Sequence, residues 1–215
     1  MNLFALTDSK LAALHRQLMN EIARRAKAAA TGHDAASIIF GNEMAKRALV
    51  VAAAGNHSIL FVGPPNCGKT MLRAVALELG LGTTFEVRPC PCGYRSDPRR
   101  ACQCRFNQID RHLRKLPVAD ISIEVVSPAE REMRSPGTTL AEMRQQVEAK
   151  SDYQSLELGE DSRNLLKAAV AELALDADAR NRILAVSRTI ANLDRNERIE
   201  ARHVCEAINY RMLGR

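Results

Sequence analysis

Apolar residues are arranged along this chain in two different patterns, a helical period and short unbroken runs. Leu11, Leu14, Leu18 and Ile22 fall at three- and four-residue intervals, which predicts a helix capped at Thr7 or Asp8 and ended by Thr31-Gly32. Its other face carries Lys10, Arg16, Arg24, Arg25 and Lys27, as a solvated face does. A second helix is expected over about residues 42–54. The pattern then changes: residues 58–62 (SILFV) form a short apolar run without polar alternation, as a strand buried on both faces requires. Further apolar runs follow at 84–87 and 121–126. Between 106 and 116, Ile109, Leu113 and Leu116 make a helical stripe with basic flanks. Residues 127–138 hold two prolines and a glycine and read as a linker, after which helices are expected at 139–149, 160–173, 177–193 and 201–213. The chain thus reads as an α/β unit followed by a helical bundle, with a boundary near Pro136. No internal repeat or low-complexity tract interrupts it.

Composition narrows the class. At 215 residues and 46% hydrophobic content a packed core is expected, in one domain or in one domain with a small satellite. Aromatics are only 4% and Trp is absent, which argues against a β-sandwich and against a single-strand-binding surface built on base stacking. The longest uncharged apolar stretch, 48–55, is far below the roughly 20 residues of a membrane span, and residues 1–7 lack the form of a secretion signal. A cytoplasmic protein without a membrane partner is expected. The net charge of +6 is concentrated: Arg88, Arg95, Arg99, Arg100, Arg105, Arg111, Arg114 and Lys115 face only Asp97 and Asp110 within 88–115, and the rest of the chain sums to zero.

Gly63-Pro-Pro-Asn-Cys-Gly-Lys-Thr70 fits G-x-x-x-x-G-K-[ST] and lies between the 58–62 strand and a helix expected at 71–79. In such a loop the glycines let consecutive N–H groups converge on phosphate oxygens, Lys69 neutralises β/γ charge and Thr70 can bind Mg²⁺. Gly63, Pro64, Pro65, Asn66, Cys67, Gly68, Lys69, Thr70 and Met71 are therefore the expected ATP site. Cys67, beside Lys69 and a helix start, has the setting that lowers a thiol pKa, so either a redox-gated loop or a small tolerated side chain fits it. A search for four apolar residues followed by Asp-Glu, the second acid of a magnesium-dependent ATPase, finds none. Asp120, Asp176 and Glu124 do not follow suitable runs. Binding of ATP is better supported than its hydrolysis, and no catalytic residue is assigned.

Four of the six cysteines form a CxC-x9-CxC pattern: Cys90, Cys92, Cys102 and Cys104. Four thiolates on two short turns can surround a tetrahedral Zn²⁺; an iron–sulfur cluster or reduced thiols without metal are the alternatives. With Arg95, Arg99, Arg100 and Arg105 around it, the segment suits contact with phosphates of a nucleic acid, although the same arginines would also suit acidic neighbours.

Several motifs together resemble one family. Gly41-Asn-Glu-Met-Ala-Lys-Arg-Ala-Leu49, Ala52-Ala-Ala-Gly-Asn-His57, the phosphate loop through Leu72, Pro89-Cys-Pro-Cys-Gly-Tyr94, Cys102-Gln-Cys104 and Arg188-Thr-Ile-Ala-Asn-Leu193 are similar to the Mg-chelatase-like AAA+ ATPases of the ComM/YifB group. The resemblance implies an AAA+ core with a helical lid, ATP and Mg²⁺ as ligands, ring assembly and, within the group, branch migration on DNA. Departures accompany it. Only about twenty residues separate the phosphate loop from the cysteine motif, where the family carries a longer stretch with its Walker B strand, and the family's N-terminal domain is represented by one helix. Arg88 stands where the family has its sensor 1 asparagine, Val118 where it has an arginine if Asp120 matches the second aspartate of the family's Asp-Arg-Ile-Asp motif, and Asp178 near its sensor 2 arginine, for which Arg180 or Arg182 could substitute.

The resemblance implies a strand order 5-1-4-3-2, so loss of strands 2 and 3 would leave 121–126, 58–62 and 84–87 contiguous with 58–62 central. The expected fold is a reduced P-loop three-layer α/β unit with a short parallel sheet, a cysteine loop insertion at 88–105 and a C-terminal helical lid. The expected divisions are 1–35, 36–135 and 136–215. The expected function is that of a nucleotide-sensing module in a DNA-processing assembly, with weak or absent hydrolysis and homo- or hetero-oligomeric partners. Two alternatives stand beside it: a zinc-stapled nucleic-acid-binding module with a vestigial loop, and an ATPase completed by a partner subunit.

Overall fold

The computed structural model describes residues 39–97, 100–127 and 137–211. The N-terminal helix expected over 1–35, Arg99 and the boundary near Pro136 lie outside the described residues. Within them, α1 (Glu43–Gly55) leads to β1 (Ile59–Val62), α2 (Lys69–Glu78) and β2 (Thr84–Val87). Next come α3 (Phe106–Leu113) and β3 (Ile121–Glu124), and then the helices α4 (Leu140–Glu148), α5 (Glu160–Glu172), α6 (Ala177–Leu193) and α7 (Ala201–Asn209). The sheet order is β2-β1-β3, all parallel, so the expected contiguous order with the loop strand in the centre is what the chain adopts.

Each strand is only four residues long, and β1 is buried throughout. Side chains alternate between the faces of a strand. Ile59 and Phe61, with Ile121 of β3, therefore join the main core, which includes Leu49 and Val51 of α1, Leu72 and Val75 of α2, and Ile183 and Ile190 of α6. One core runs from the sheet into the helical part, through contacts of α1 with α4 and α6. The opposite sheet face is thinner: Leu60 and Val62 meet Ala119, Leu116, Phe85 and Val87. Ile109, Leu113 and Leu116 do form the expected stripe, but together with Leu60 they line an open cleft of about 760 Å³, and Phe106 is 85% exposed.

Two of the motifs that carry the family resemblance act as clasps. The Asn42 side-chain amide donates to the Val126 carbonyl at 3.0 Å and accepts from the Val126 N–H at 3.2 Å, so a side chain pairs with the backbone just past β3. Glu43 accepts from the Thr138 hydroxyl at 2.6 Å and pairs with buried Lys46 at 3.1 Å. The backbone at Gly137, with φ 65°, favours glycine, and a Cβ there, 2.1 Å from a Glu43 oxygen, would displace that carboxylate. In α6, Arg188 is 6% exposed and donates to the carbonyls of Ser155, Asn196 and Glu197. Its neighbour Thr189 meets His57 at 2.8 Å, which ties the helical part to the end of α1. Arg188→Ala would remove three charge-assisted hydrogen bonds and the packing of a buried side chain, so a loss of about 3 kcal/mol is expected in urea unfolding, with Arg188→Lys recovering only part of it.

Candidate functional site

The phosphate loop begins where the sheet pairing ends. The Gly63 N–H donates to the Val87 carbonyl at 3.2 Å and the Val125 N–H to the Val62 carbonyl at 2.7 Å, so pairing runs one step past the strands on both sides. A Cβ at Gly63 would lie 2.3 Å from the Val125 oxygen and 2.8 Å from Cys67 Sγ, which excludes any other residue. Asn66 (φ 61°) and Gly68 (φ 101°) then turn the chain through the left-handed region, and at Gly68 the requirement is conformational, since nothing crowds it. Gly68 is also the N-cap of α2 and offers no side-chain acceptor. The first-turn N–H groups and the positive end of the helix dipole are thereby directed into the loop.

The Lys69 ammonium donates to the carbonyls of Gly63 at 2.8 Å and Pro64 at 2.6 Å, which holds its charge inside the arc. Thr70 Oγ1 donates to Glu86 Oε2 at 3.0 Å, and the other Glu86 oxygen lies 3.7 Å from Arg73. Pro64 and Cys67 are buried, while Asn66 and Met71 face outward. Cys67 departs from the setting expected of it. Burial pushes its thiol above the ordinary range, and Lys69 at 3.6 Å only partly offsets this. It is a packing residue under Gly63 rather than an activated thiol.

The cysteine module follows β2 directly. Cys90 to Gly93 is a tight turn closed by the Gly93 N–H on the Cys90 carbonyl at 3.0 Å, with φ 85° at Gly93. Cys90, Cys92 and Cys102 place their sulfurs 3.4, 3.7 and 3.6 Å apart, and all four sulfurs lie within 4.8 Å of one another. Zn–S bonds of about 2.3 Å in a tetrahedron put sulfurs about 3.8 Å apart. Disulfides are absent among these cysteines. The donor set, four soft thiols on two short turns, fits a single thiophilic metal ion. The N–H groups of Tyr94 and Gln103 pull the Cys92 thiol down to about 6. The Cys92 N–H favours a Cys104 thiolate, but desolvation and the neighbouring thiols push Cys104 up to about 12. A dication among them removes that repulsion.

This module touches the loop. A Cβ on Gly93 would meet Arg88 Cδ at 3.2 Å and Pro65 Cδ at 3.5 Å, and His112 of α3 bonds the Arg88 carbonyl at 2.9 Å. Of the arginines singled out for nucleic-acid contact, Arg100 and Arg105 are exposed, with Arg100 stacked 4.2 Å over the Tyr94 ring. Arg95 is half-buried and lines the cleft beside the sheet. Exposed Arg111 and Lys115 extend the basic surface, while Arg114 pairs with Asp110 at 3.0 Å.

The acid beside Thr70 escapes a search that demands an apolar run followed by Asp-Glu, because Glu86 sits within an edge strand. Its signal is the odd charge in T-F-E-V, two residues after the start of a run that follows a phosphate loop. Asp120, by contrast, accepts from the N–H and hydroxyl of Ser58 at 2.9 and 2.7 Å, and those bonds hold its carboxyl below the usual range against the cost of burial. It sews the N-terminal ends of β1 and β3, opposite the loop.

A central parallel strand, a glycine-turned loop and a helix rising from it define a phosphate-loop α/β protein of the AAA+-like kind. Two family models match in order: "Magnesium chelatase, subunit ChlI" over residues 35–82 and "Magnesium chelatase, subunit ChlI C-terminal" over residues 119–211, together about two thirds of the chain. The chain belongs to the Mg-chelatase-like family, an AAA+-like ATPase family. It is 65% identical over 34 residues to "Competence protein ComM" of Haemophilus influenzae, a match covering 16% of this chain and 7% of that protein. It is 52% identical over 40 residues to "Uncharacterized protein YifB" of Escherichia coli, covering 19% and 8%. The match therefore spans less than a tenth of these relatives' length. Residues 83–118, which hold β2, the cysteines and α3, fall between the two family models. No helix among the described residues is long and apolar enough to cross a membrane.

Proposed function

We propose that the chain is an ATP-binding, nucleotide-sensing module of a DNA-processing assembly, weak or inactive in hydrolysis and associating with copies of itself or with relatives. The observation that carries this reading is the loop: Lys69 is held within the arc, and a helix start without a side-chain cap opens onto it. ATP would place its phosphates on the N–H groups of 66–71, since Pro64 and Pro65 have none and the Gly63 N–H is given to Val87. Mg²⁺ would sit at Thr70, whose hydroxyl beside a carboxylate is a hard-oxygen donor pair suited to that ion, and would neutralise phosphate charge. Cys90, Cys92, Cys102 and Cys104 would hold a structural Zn²⁺. Low turnover is supported by a charged Arg88 at the end of β2, where the resemblance leads one to expect an asparagine. The DNA setting rests on the basic 88–115 segment and on likeness to a competence protein.

Millimolar Mg-ATP is expected to raise the melting temperature by several degrees, and Lys69→Ala to abolish the rise; a flat melting curve for the wild-type chain would remove the nucleotide reading. About one zinc per chain is expected by elemental analysis, with Co²⁺ replacement giving thiolate charge-transfer bands that Cys102→Ser alters. Metal-free protein melting at the same temperature as the loaded form would refute a structural role.

Exposure of Arg100, Arg105, Arg111 and Lys115 on one module favours a second reading, in which this surface binds nucleic acid. Affinity for duplex DNA should then fall steeply with salt and with Arg99→Ala/Arg100→Ala, whatever Lys69 does. A salt-independent signal would count against it.

A further inference from the structure

Building on the nucleotide-binding reading above, we propose that Glu86 is the acid of the magnesium site, presented from the strand directly beside the loop strand. Register and face both place it there. Glu86 pairs with Phe61 of β1, so it lies on the sheet face that packs against α2, one residue from the end of β2. From there its carboxylate accepts the Thr70 proton at 3.0 Å. A hydroxyl has one proton and two lone pairs; giving the proton to Glu86 leaves the lone pairs to a cation. Such a cation at Thr70 has an ionised carboxylate beside it.

The donor count also suits the ion. Mg²⁺ keeps several waters and is held through one or two protein oxygens besides the phosphates, so a hydroxyl and one carboxylate suffice. Glutamate has the reach this geometry needs, since Glu86 stands inside the strand rather than past its end. Neither of the other acids near strand ends serves. Asp120 is committed to Ser58 at the opposite end of the sheet, and Glu124 pairs with Val62 and so belongs to the other face. Arg73, 3.7 Å from the second Glu86 oxygen and half-exposed, steadies the carboxylate without occupying the oxygen that faces Thr70.

The test is the affinity of the ATP complex for Mn²⁺, read by electron paramagnetic resonance, beside ATP affinity in EDTA by titration calorimetry. Glu86→Gln keeps an acceptor for Thr70 but removes the charge. It should weaken Mn²⁺ binding about ten- to a hundredfold, well beyond any change in metal-free ATP affinity. Glu86→Asp, whose charge is retained at shorter reach, should recover part of the loss. Unchanged Mn²⁺ affinity in Glu86→Gln, with ATP still bound, overturns the proposal and leaves the nucleotide reading standing. An equal fall in metal-free ATP affinity also overturns it, since Glu86 would then only shape the loop. Absence of ATP binding by the wild-type chain, with or without metal, defeats both readings.

Discussion

Everything at the site depends on β1 being paired on both edges in parallel and one step past its own end. The Gly63 N–H on Val87 and the Val125 N–H on Val62 bring the ends of all three strands to a single rim. A residue there with a side chain would strike the Val125 backbone, so the first glycine of the loop is dictated by sheet closure as much as by any ligand. Parallel pairing fixes direction as well as distance. Because all strands run the same way, Glu86, Arg88, the loop and the start of the cysteine turn collect at the C-terminal end, where ligands bind in open α/β sheets.

That rim is small, and its size explains the clasps around it. Three four-residue strands give little independent stability. The rest comes from elsewhere: α6 lends the core Ile183, Val186 and Ile190, the Tyr210 carbonyl accepts from Ser122 N–H at 2.7 Å on the outer edge of β3, and Asn42 closes the same strand further along. Beyond β2 the chain turns at once into the cysteine module. A structural zinc contributes on the order of 10–16 kcal/mol in small domains, against about 1.5–3 for burying a large apolar side chain. One ion on these sulfurs would thus weigh as much as several core residues at the point where the sheet is narrowest.

How much of this was legible depended on whether the signal was local. The strands, the loop and the four-cysteine pattern follow from runs and spacings a few residues long, whereas the order β2-β1-β3 is legible only through the family resemblance. Arg188 and Thr189 are visible only as part of a motif that carries the family resemblance, since no local pattern points to their partners at 155, 196–197 and 57. Cys67 stays open in the sequence between a redox-gated thiol and a small tolerated side chain, because proximity to Lys69 is local whereas the burial that favours the second is not. The odd charge of Glu86 is local, but its place beside Thr70 is set by pairing with Phe61, a register that T-F-E-V alone does not reveal.

The charge concentration between 88 and 115 acquires a different meaning once it is placed. Four thiolates and a dication sum to −2, so a zinc-loaded segment would carry about +4 rather than +6. That charge is not spread over a free loop. A Cβ on Gly93 would reach both Arg88 and Pro65, and His112 holds the Arg88 carbonyl. A phosphate group in the loop would therefore meet Lys69 from within and the field of the cysteine module from beside it. Coulomb energy between charges a few ångströms apart is substantial in a partly desolvated cleft and falls to little across a Debye length of about 8–10 Å. Arg88, Arg100, Arg105, Arg111 and Lys115 are all exposed, so their charge is open to whatever approaches from solvent.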